Sequence, residues 1–344
     1  MGNKKPLHSA NKIIIRLPNF LGDSIMATPA IRLLLENYPN ASLTLVCKAP
    51  IKDVFKKLPN LERVIIDDTK NGGNRIFKAI RLIKEIRKNK YELGILFQNS
   101  LANAIIFRFC RIRNLVGYKN DLRGILLDSS FVLDRNIHYI NRFAGLVNNY
   151  LNNKFKKLPA LRVWNGGEVK KWDFDNNLPV IALSLGNDAQ MNRAYPQKLS
   201  WELIQQLVKS RRYNLVFVGD AKDAERNNEY ESNLSVEDKK YVRNYSGKTD
   251  VDTHINLIKA ADALITVDSS GMHIAAACNI PFIVLLGRST SPFCTVQPKV
   301  DFGRFLKNEN SLIEVDKFIS QISPTQIIHE LSLIVHKQKE EVLP

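Results

Sequence analysis

The segment IIIRLPNFLGDSIMATPAIRLLLENYP, residues 13–39, decides the fold class of this chain. It begins with an apolar β-branched run, passes through a short turn that contains Gly22 and Asp23, and continues as an amphipathic stretch ending at Tyr38-Pro39. Apolar β-branched runs predict buried strands, and apolar residues at helical spacing predict a helix packed against them. The segment therefore predicts one strand–turn–helix unit of an α/β protein.

The same unit recurs along the 344 residues. Further strands are predicted at 43–47, 64–66, 93–97, 180–183, 215–218, 263–267 and 282–286. Helices are predicted at 76–87, 201–209, 252–261, 272–278 and 324–339. Strand–helix alternation of this kind implies doubly wound parallel sheets with helices on both faces.

The polar stretch 162–177, which includes Gly166 and Gly167, separates the two patterned halves and is predicted to be a linker. This gives a first domain over 1–165, a second over 166–323 and a final helical segment over 324–344. Two doubly wound domains joined by one linker predict a ligand cleft between the carboxyl ends of their sheets. No apolar run approaches the roughly 20 residues of a membrane span. No signal-peptide pattern follows the basic amino terminus, so a cytoplasmic location is expected.

The net positive charge of the chain comes entirely from its first half. Residues 1–165 hold 29 Lys and Arg against 11 Asp and Glu, a net charge of +18, whereas residues 166–344 hold 21 against 23, a net charge of −2. A solvated basic surface is the simpler explanation. The alternative is a polyanionic partner such as lipid phosphate, acidic sugar or nucleic acid. The absence of RNP-type aromatic motifs and zinc-finger spacing argues against nucleic acid.

The turn after the first strand carries the first candidate for chemistry. Asp23 is expected at or near the start of a helix, where unpaired N–H groups and the helix dipole favour its ionised form. An ionised carboxylate there can take a proton from an attacking hydroxyl. The competing interpretation is that Asp23 only caps the helix, and spacing alone favours the cap. Gly22 is expected to allow a tight turn close to a ligand.

A second polar cluster follows the strand at 263–267. Backbone N–H groups at the start of the next helix suit a diphosphate, and hydroxyl side chains add donors. The simpler alternative is an N-cap serine in a polar turn. The cluster consists of Asp268, Ser269, Ser270, Gly271 and His273. The four cysteines lie far apart with no CxxC pair, so neither a metal site nor a disulfide framework is predicted.

Together these segments resemble the ADP-heptose–lipopolysaccharide heptosyltransferases, glycosyltransferase family 9, and most of all their heptosyltransferase II subgroup. The blocks that carry the resemblance are 13–39, Gly117-Tyr118 with Arg123, RAYPQKLSW at 193–201, FVGDAKDAE at 217–225, SGKT at 246–249 and 262–287. They occur in the family's order over most of the chain.

The resemblance implies the GT-B architecture, with an acceptor domain followed by a donor domain and a final helix that packs back toward the first domain. It also implies an inverting transfer from a nucleotide sugar, most simply ADP-heptose, to the lipid A/Kdo/heptose inner core, without a metal ion or other cofactor. Asp23 matches the general base. The implied acceptor residues are Arg16, Asn19, Gly22 and Arg123. The implied donor residues are Asn187, Arg193, Asp223, Glu225, Asp268, Ser269, Ser270, Gly271, His273 and Arg288. For Arg123 a surface ion pair is the alternative.

The donor loop departs from the family pattern. Where the family's loop begins Pro-Gly-Ala, this chain reads Ser184-Leu-Gly-Asn-Asp188. The family's Lys-Arg-Trp-Pro pattern appears as Asn192-Arg193-Ala-Tyr-Pro196, so its lysine is missing. Arg193 and Arg288 are the candidate substitutes for its charge. A related transferase with another nucleotide sugar, or a non-catalytic member that binds anionic lipid, therefore stays open. Basic charge without a spanning helix predicts peripheral contact with the inner face of the cytoplasmic membrane.

Overall fold

The structure is a computed structural model that describes residues 4–168, 172–187, 190, 193–287, 292–308 and 318–341, with side chains of the last helix as far as Val335. The chain forms two compact units. Unit 1 comprises Met1–Gly166 and Cys294–Val296, and unit 2 comprises Gly167–Phe293 and Gln297–Pro344.

Unit 1 is built on a six-stranded parallel sheet. Its strands are β1 (Lys12–Arg16), β2 (Ser42–Cys47), β3 (Leu61–Ile66), β4 (Leu93–Leu96), β5 (Asn114–Tyr118) and β6 (Ser129–Phe131), in the order β3-β2-β1-β4-β5-β6. Its helices are α1 (Leu21–Met26), α2 (Thr28–Asn37), α3 (Arg75–Arg87), α4 (Leu101–Phe109) and α5 (Tyr139–Tyr150). The chain leaves β1 toward β2 and later returns to β4 on its other side. The strand order therefore reverses at β1, where ligands of such sheets bind beyond the carboxyl ends.

The interior of unit 1 follows from the alternation of side chains along β1. Ile14 packs into a buried cluster that also contains Leu82 and Ile86 of α3 and Phe107 of α4. Helices α2 and α5, which follow β1 and β6 in the chain, pack against each other. Because successive side chains of a strand point to opposite faces, one β-branched run supplies both layers.

Unit 2 repeats this plan. Its strands are β7 (Val180–Ser184), β8 (Asn214–Phe217), β9 (Val242–Asn244), β10 (Ala263–Val267), β11 (Phe282–Leu285) and β12 (Gly303–Leu306), in the order β12-β11-β10-β7-β8-β9. Its helices are α6 (Gln197–Lys209), α7 (Ala221–Asn233), α8 (Val236–Lys239), α9 (Val251–Lys259), α10 (Ser270–Cys278) and α11 (Pro324–Glu341). The order reverses at β7, between β10 and β8.

The prediction of an α/β protein with doubly wound parallel sheets is confirmed. The eight predicted strands are all present, whereas β5, β6, β9 and β12 were not predicted. The contacts of α11 within unit 2 are with α6, β10 and β11. Packing of this segment toward the first domain stays a prediction. In the described part of the chain, no helix has both the length and the apolar character needed to cross a membrane.

Candidate active site

Asp23 lies just beyond the carboxyl end of β1, in the first turn of α1. The N-cap of that helix is Phe20, in an extended conformation and without a side-chain capping bond. Asp23 is therefore the third helical residue and not the cap, so the capping interpretation of its role is not supported by the geometry. Gly22 also lies inside α1 and is not among the described glycines with positive φ, which means that the tight turn expected at Gly22 is wrong.

The environment of Asp23 makes its carboxylate a better base. Burial raises the pKa of Asp23 from 3.8 to about 6, and Arg142 on α5 opposes this with a smaller lowering. Arg142 itself is stacked on the ring of Tyr139, 3.9 Å from the ring centroid. A carboxylate with a pKa near 6 is ionised at neutral pH yet binds a proton more tightly than an exposed aspartate, which suits a general base.

Arg16, the last residue of β1, uses all its donors inside unit 1. Its Nε donates to Asn103 Oδ1 at 3.1 Å, and the remaining N–H groups donate to the carbonyl oxygens of Leu17 and Val46 and to Asn19 Oδ1 and Asp67 Oδ2. The Arg16–Asp67 pair is 2.6 Å long and almost fully buried. Asn19 was predicted to bind the acceptor substrate. Its side-chain oxygen instead accepts a hydrogen bond from the Arg16 guanidinium.

This network changes the interpretation of Arg16. To reach an acceptor anion, the guanidinium would have to give up one of five bonds. Arg16 thus ties the ends of β1 and β2 to α4 and to the loop after β3. Asp67 completes the network. Burial alone would raise the pKa of Asp67, but Arg16, the Thr69 hydrogen bonds and Lys48 together lower it. No sequence motif links Asp67 to residue 16, so this ion pair could not be predicted from the sequence.

Arg123 is the second buried arginine of unit 1, and it lacks a full set of partners. Its side chain is 0% exposed. One terminal nitrogen, Nη1, donates to Gln98 O at 2.9 Å and lies 3.4 Å from Asn99 Oδ1, whereas Nε and Nη2 have no hydrogen-bond partner. Burial lowers the pKa of Arg123 to about 10, against a raising by Asp121, so the group stays cationic at neutral pH. The surface ion pair considered for Arg123 is therefore wrong among the described residues.

The glycine in the Gly117-Tyr118 block explains how Arg123 fits. A Cβ built on Gly117, in β5, would lie 2.8 Å from Arg123 Nη2. Any larger residue would displace the guanidinium. Buried polar groups without partners are rare in folded proteins and are concentrated at functional positions. The two unpaired nitrogens of Arg123 therefore mark the carboxyl end of β5 as a candidate anion site.

In unit 2, the strand–helix junction after β10 has the geometry of a polar turn. Ser269 is the N-cap of α10, and its Oγ accepts from Gly271 N at 3.1 Å and lies 3.0 Å from Thr266 Oγ1. A Cβ on Gly271 would lie 3.3 Å from both hydroxyl oxygens. Asp268 and Ser270 flank this cap and are partly buried. His273, one turn into α10, is 4% exposed.

The junction after β8 brings two further predicted donor residues together. Asn187 Nδ2 donates to Asp223 Oδ1 at 2.6 Å. Asp223 Oδ2 accepts from Asp220 N at 2.8 Å, and the Asp220 side chain in turn accepts from Asp223 N, which completes a capping box at the start of α7. Burial raises the pKa of Asp223, against the lowering effect of these bonds. Both oxygens of Asp223 thus accept hydrogen bonds within unit 2, whereas Glu225 is exposed on α7.

Arg226 is a residue of this region that the sequence analysis missed. Its guanidinium donates to Gly186 O, Tyr195 O and Tyr230 Oη from inside unit 2. Gly186 has φ +81°, a conformation that favours glycine. Arg226 therefore fixes both ends of the loop that carries Asn187 and the partly buried Arg193. Arg288 lies outside the described residues.

Within the described ranges, no group of three or more His, Cys, Asp or Glu side chains could hold a metal ion.

Two doubly wound units with polar groups at the switch points have the arrangement in which α/β proteins bind ligands. The sequence profile of glycosyltransferase family 9 (heptosyltransferase) matches residues 79–310. This chain belongs to that family, and it is a glycosyltransferase.

Among relatives, the chain is 25% identical over 347 residues to lipopolysaccharide heptosyltransferase 2 of Escherichia coli K12, covering 95% of this chain and 99% of that protein. It is 27% identical over 294 residues to the Salmonella typhimurium protein of the same name, covering 82% and 84%. The solved structure of E. coli ADP-heptose LPS heptosyltransferase II superposes with a TM-score of 0.82 at 24% identity, covering 95% of this chain and 99% of that one. A glycosyl transferase family 9 structure from Veillonella parvula gives 0.81 at 19% identity, covering 95% and 98%. The architecture is accordingly GT-B.

Proposed function

We propose that this enzyme transfers heptose from ADP-heptose to the inner core of lipopolysaccharide, with Asp23 as general base and inversion at the anomeric carbon. The observation that carries the proposal is the position of Asp23, half-buried at the switch point of unit 1 with a pKa of about 6. The names of the relatives support the choice of sugar and acceptor.

The proposed step moves one proton and exchanges one bond. The Asp23 carboxylate accepts the proton of an acceptor heptose hydroxyl as that oxygen attacks the anomeric carbon of the donor. The bond from this carbon to the diphosphate breaks on the opposite side, and ADP leaves with the electron pair. Arg142 limits the rise of the Asp23 pKa, which keeps the base ionised in the neutral range.

For the donor, we propose that the start of α10 holds the diphosphate. The backbone N–H groups there, with Ser269 and Ser270, supply donors, and the helix dipole favours negative charge. Asp268 and His273 stand beside this position for sugar and phosphate groups. Glu225 is proposed for the ribose diol, with Asn187, Asp223 and Gly271 shaping the pocket. Arg193 and Arg288 are proposed to replace the charge of the missing lysine.

For the acceptor, we propose that Arg123 binds a phosphate or carboxylate of the lipid A/Kdo core. Its two unpaired nitrogens form one side of a guanidinium fork, which matches such anions in a bidentate manner. We also propose that the enzyme acts at the inner face of the cytoplasmic membrane, since the excess positive charge lies in residues 1–165.

The test combines calorimetry of ADP binding with a transfer assay on wild type, Asp23→Asn and the control Glu36→Gln. Glu36 is an exposed carboxylate on α2 of the same unit. We expect all three proteins to bind ADP and only Asp23→Asn to lose transfer. Full transfer by Asp23→Asn would show that Asp23 is not the general base.

Two further experiments test whether the reaction needs a metal ion and which nucleotide the donor carries. If the reaction needs no metal, transfer is unchanged by EDTA, and a loss restored by a divalent cation would contradict metal independence. If UDP or GDP competes with the donor more strongly than ADP, the altered loop around Gly186 selects another nucleotide sugar and the ADP-heptose assignment is wrong.

A further inference from the structure

Unit 1 carries most of the large hydrophobic side chains that are exposed in the described part of the chain. Of the fifteen large hydrophobic side chains that are exposed in the described part of the chain, only Val236 and Leu333 lie in unit 2. Isolated exposed apolar residues are normal, but a group on neighbouring elements indicates an interaction site. Unit 1 carries a group of exposed apolar residues on neighbouring elements.

The group consists of two residues from each of three segments of unit 1: α3, α4 and the turn after β5. Ile76 and Phe77 lie in the first turn of α3, each 72% exposed, and Leu101 and Ile105 lie one turn apart on α4, 42% and 41% exposed. Leu122 and Ile125, in the turn after β5, are 86% and 82% exposed. These six residues are called the apolar face below.

The three elements are neighbours in space. Helices α3 and α4 share the buried cluster around Phe107, and Arg87 Nε on α3 donates to Phe109 O at the end of α4. The turn after β5 is joined to the start of α4 by the hydrogen bond from Asn120 Nδ2 to Asn99 O and by Arg123. The apolar face is therefore carried by three elements that contact one another within unit 1.

The conformation of Leu122 is unfavourable for a residue without a partner. Asp121 and Leu122 both have positive φ, 49° and 61°, a region that costs free energy for residues other than glycine. A leucine held in this conformation gains nothing from burial, because it is the most exposed of the large hydrophobic residues. Contact with an apolar medium outside the protein would account for both features.

The net charge of the surrounding segment indicates which apolar medium this is. The segment 75–125, which contains the whole apolar face, holds 12 Lys and Arg against 3 Asp and Glu. Exposed basic side chains of this segment include Arg75 and Lys84 on α3, Arg111 after the end of α4 and Lys119 after β5. Apolar side chains in a segment with such a basic excess match a bilayer with anionic headgroups, where the former enter the acyl boundary and the latter meet phosphates.

The position of the apolar face fits the proposed function. The helices α3 and α4 and the turn at 123–126 all begin at the carboxyl edge of the unit 1 sheet, the edge at which Asp23 follows β1. We propose that the apolar face inserts into the anionic lipid surface and thereby presents a lipid-anchored acceptor to the Asp23 edge. This inference rests on the proposed function only for the identity of the acceptor.

Vesicle flotation of the full chain tests the surface. The probes are vesicles of phosphatidylethanolamine with phosphatidylglycerol, and neutral phosphatidylcholine vesicles as reference. The test variants are Leu122→Ser/Ile125→Ser and the quadruple variant that adds Ile76→Ser and Phe77→Ser. The matched control is Val236→Ser/Leu333→Ser, which changes exposed apolar residues of unit 2.

We expect wild type and control to float with anionic vesicles and not with neutral ones, and the double variant to lose about tenfold in partitioning. The quadruple variant should lose more. Flotation of the variants equal to that of wild type would overturn the proposal, whether or not high salt releases them. If wild type is a dimer by sedimentation and the variants are monomers with unchanged flotation, the face binds a second copy instead.

The transfer assay separates this inference from the proposed function. The Leu122→Ser/Ile125→Ser variant should act normally on a deacylated, water-soluble core acceptor and lose activity on the same acceptor embedded in vesicles. Equal losses on both acceptors would overturn the presentation role. If wild type transfers to neither acceptor, the proposed function fails, while flotation still decides whether the apolar face binds lipid.

Discussion

Replacing Asp23 by asparagine should lower activity and raise stability at the same time. The substitution removes the proton acceptor but keeps the size of the side chain. Loss of a general base costs about 10²–10⁴-fold in rate. Binding of ADP should be unchanged, because the proposed donor residues all lie in unit 2. The effect should therefore fall on kcat and not on ADP affinity.

The stability gain follows from the pKa of Asp23. That pKa is 3.8 for an ordinary aspartate and about 6 in the folded protein. Between these values the folded state binds more protons than the unfolded state, so stability falls as pH rises from about 4 to about 6. The penalty is complete above pH 6 and absent below pH 4. At about 1.4 kcal/mol for each pKa unit, discounted for partial exposure, it amounts to about 2 kcal/mol.

The assay is chemical denaturation of wild type and Asp23→Asn at about pH 4, 6 and 8, beside the transfer assay. We expect nearly equal stability at pH 4 and a variant that is about 2 kcal/mol more stable at pH 8. Wild-type transfer should decline as pH falls through about 6, because the base becomes protonated. Glu36→Gln serves as the control without either effect. A variant that is less stable at pH 8, or a difference that does not change with pH, would refute the reasoning.

Three further substitutions test the two buried arginines. Asp67→Asn leaves the buried charge of Arg16 without its counter-ion and should cost about 3–5 kcal/mol in unfolding free energy, measured by denaturation, whereas the exposed-pair control Glu237→Gln should change little. Arg123→Met removes unpaired buried donors, so it should raise stability by about 1–3 kcal/mol while the acceptor KM rises; an unchanged KM would argue against acceptor binding. Gly117→Ala places a methyl group 2.8 Å from the Arg123 guanidinium and should raise the acceptor KM without changing ADP affinity by calorimetry.

The sequence predicted the parts of the fold whose signals are local. Buried central strands such as β1 and β10 are continuous apolar runs, and a period of 2 or 3.6 is visible without knowledge of neighbours. Two of the four missed strands are of a different kind. β6 and β9 have three residues each, and both owe their strand structure to pairing with β5 and β8. Pairing of this kind depends on contacts that are distant in sequence.

The helix α7 shows a second limit. Its sequence, AKDAERNNEYESN, has few apolar residues, so hydrophobic periodicity gives little signal. Its start is fixed by the reciprocal bonds between Asp220 and Asp223. A capping box can be read from sequence when Ser or Thr precedes Glu or Gln by three residues, but here both members are aspartates. The same bonds explain why Asp223, which the motif suggests for ribose, is already occupied by the backbone of its own helix.

The candidate site divides in the same way. Asp23 was a candidate because strand, turn and helix follow one another within a dozen residues, although only the family resemblance assigned it the role of general base. The partners that determine what Arg16 does lie 51 and 87 residues away, in Asp67 and Asn103. The family resemblance assigned Arg16 to the acceptor, in keeping with the fit of a guanidinium to phosphate. Only the network of bonds distinguishes an arginine that binds a ligand from one that holds a strand end in place.

The two arginines at the edge of unit 1 illustrate how that distinction can be argued. Both are fully buried and both would cost free energy as isolated charges. Arg16 offsets that cost with a carboxylate and four further acceptors, and it therefore has no need of a ligand. Arg123 has neither a carboxylate in contact nor partners for Nε and Nη2. Because folding gains nothing from an unpaired guanidinium, this difference supports the proposal that Arg123 binds an anion that arrives after folding. The charge excess of the same unit and the apolar face beside Arg123 point to an anion that is carried on a lipid.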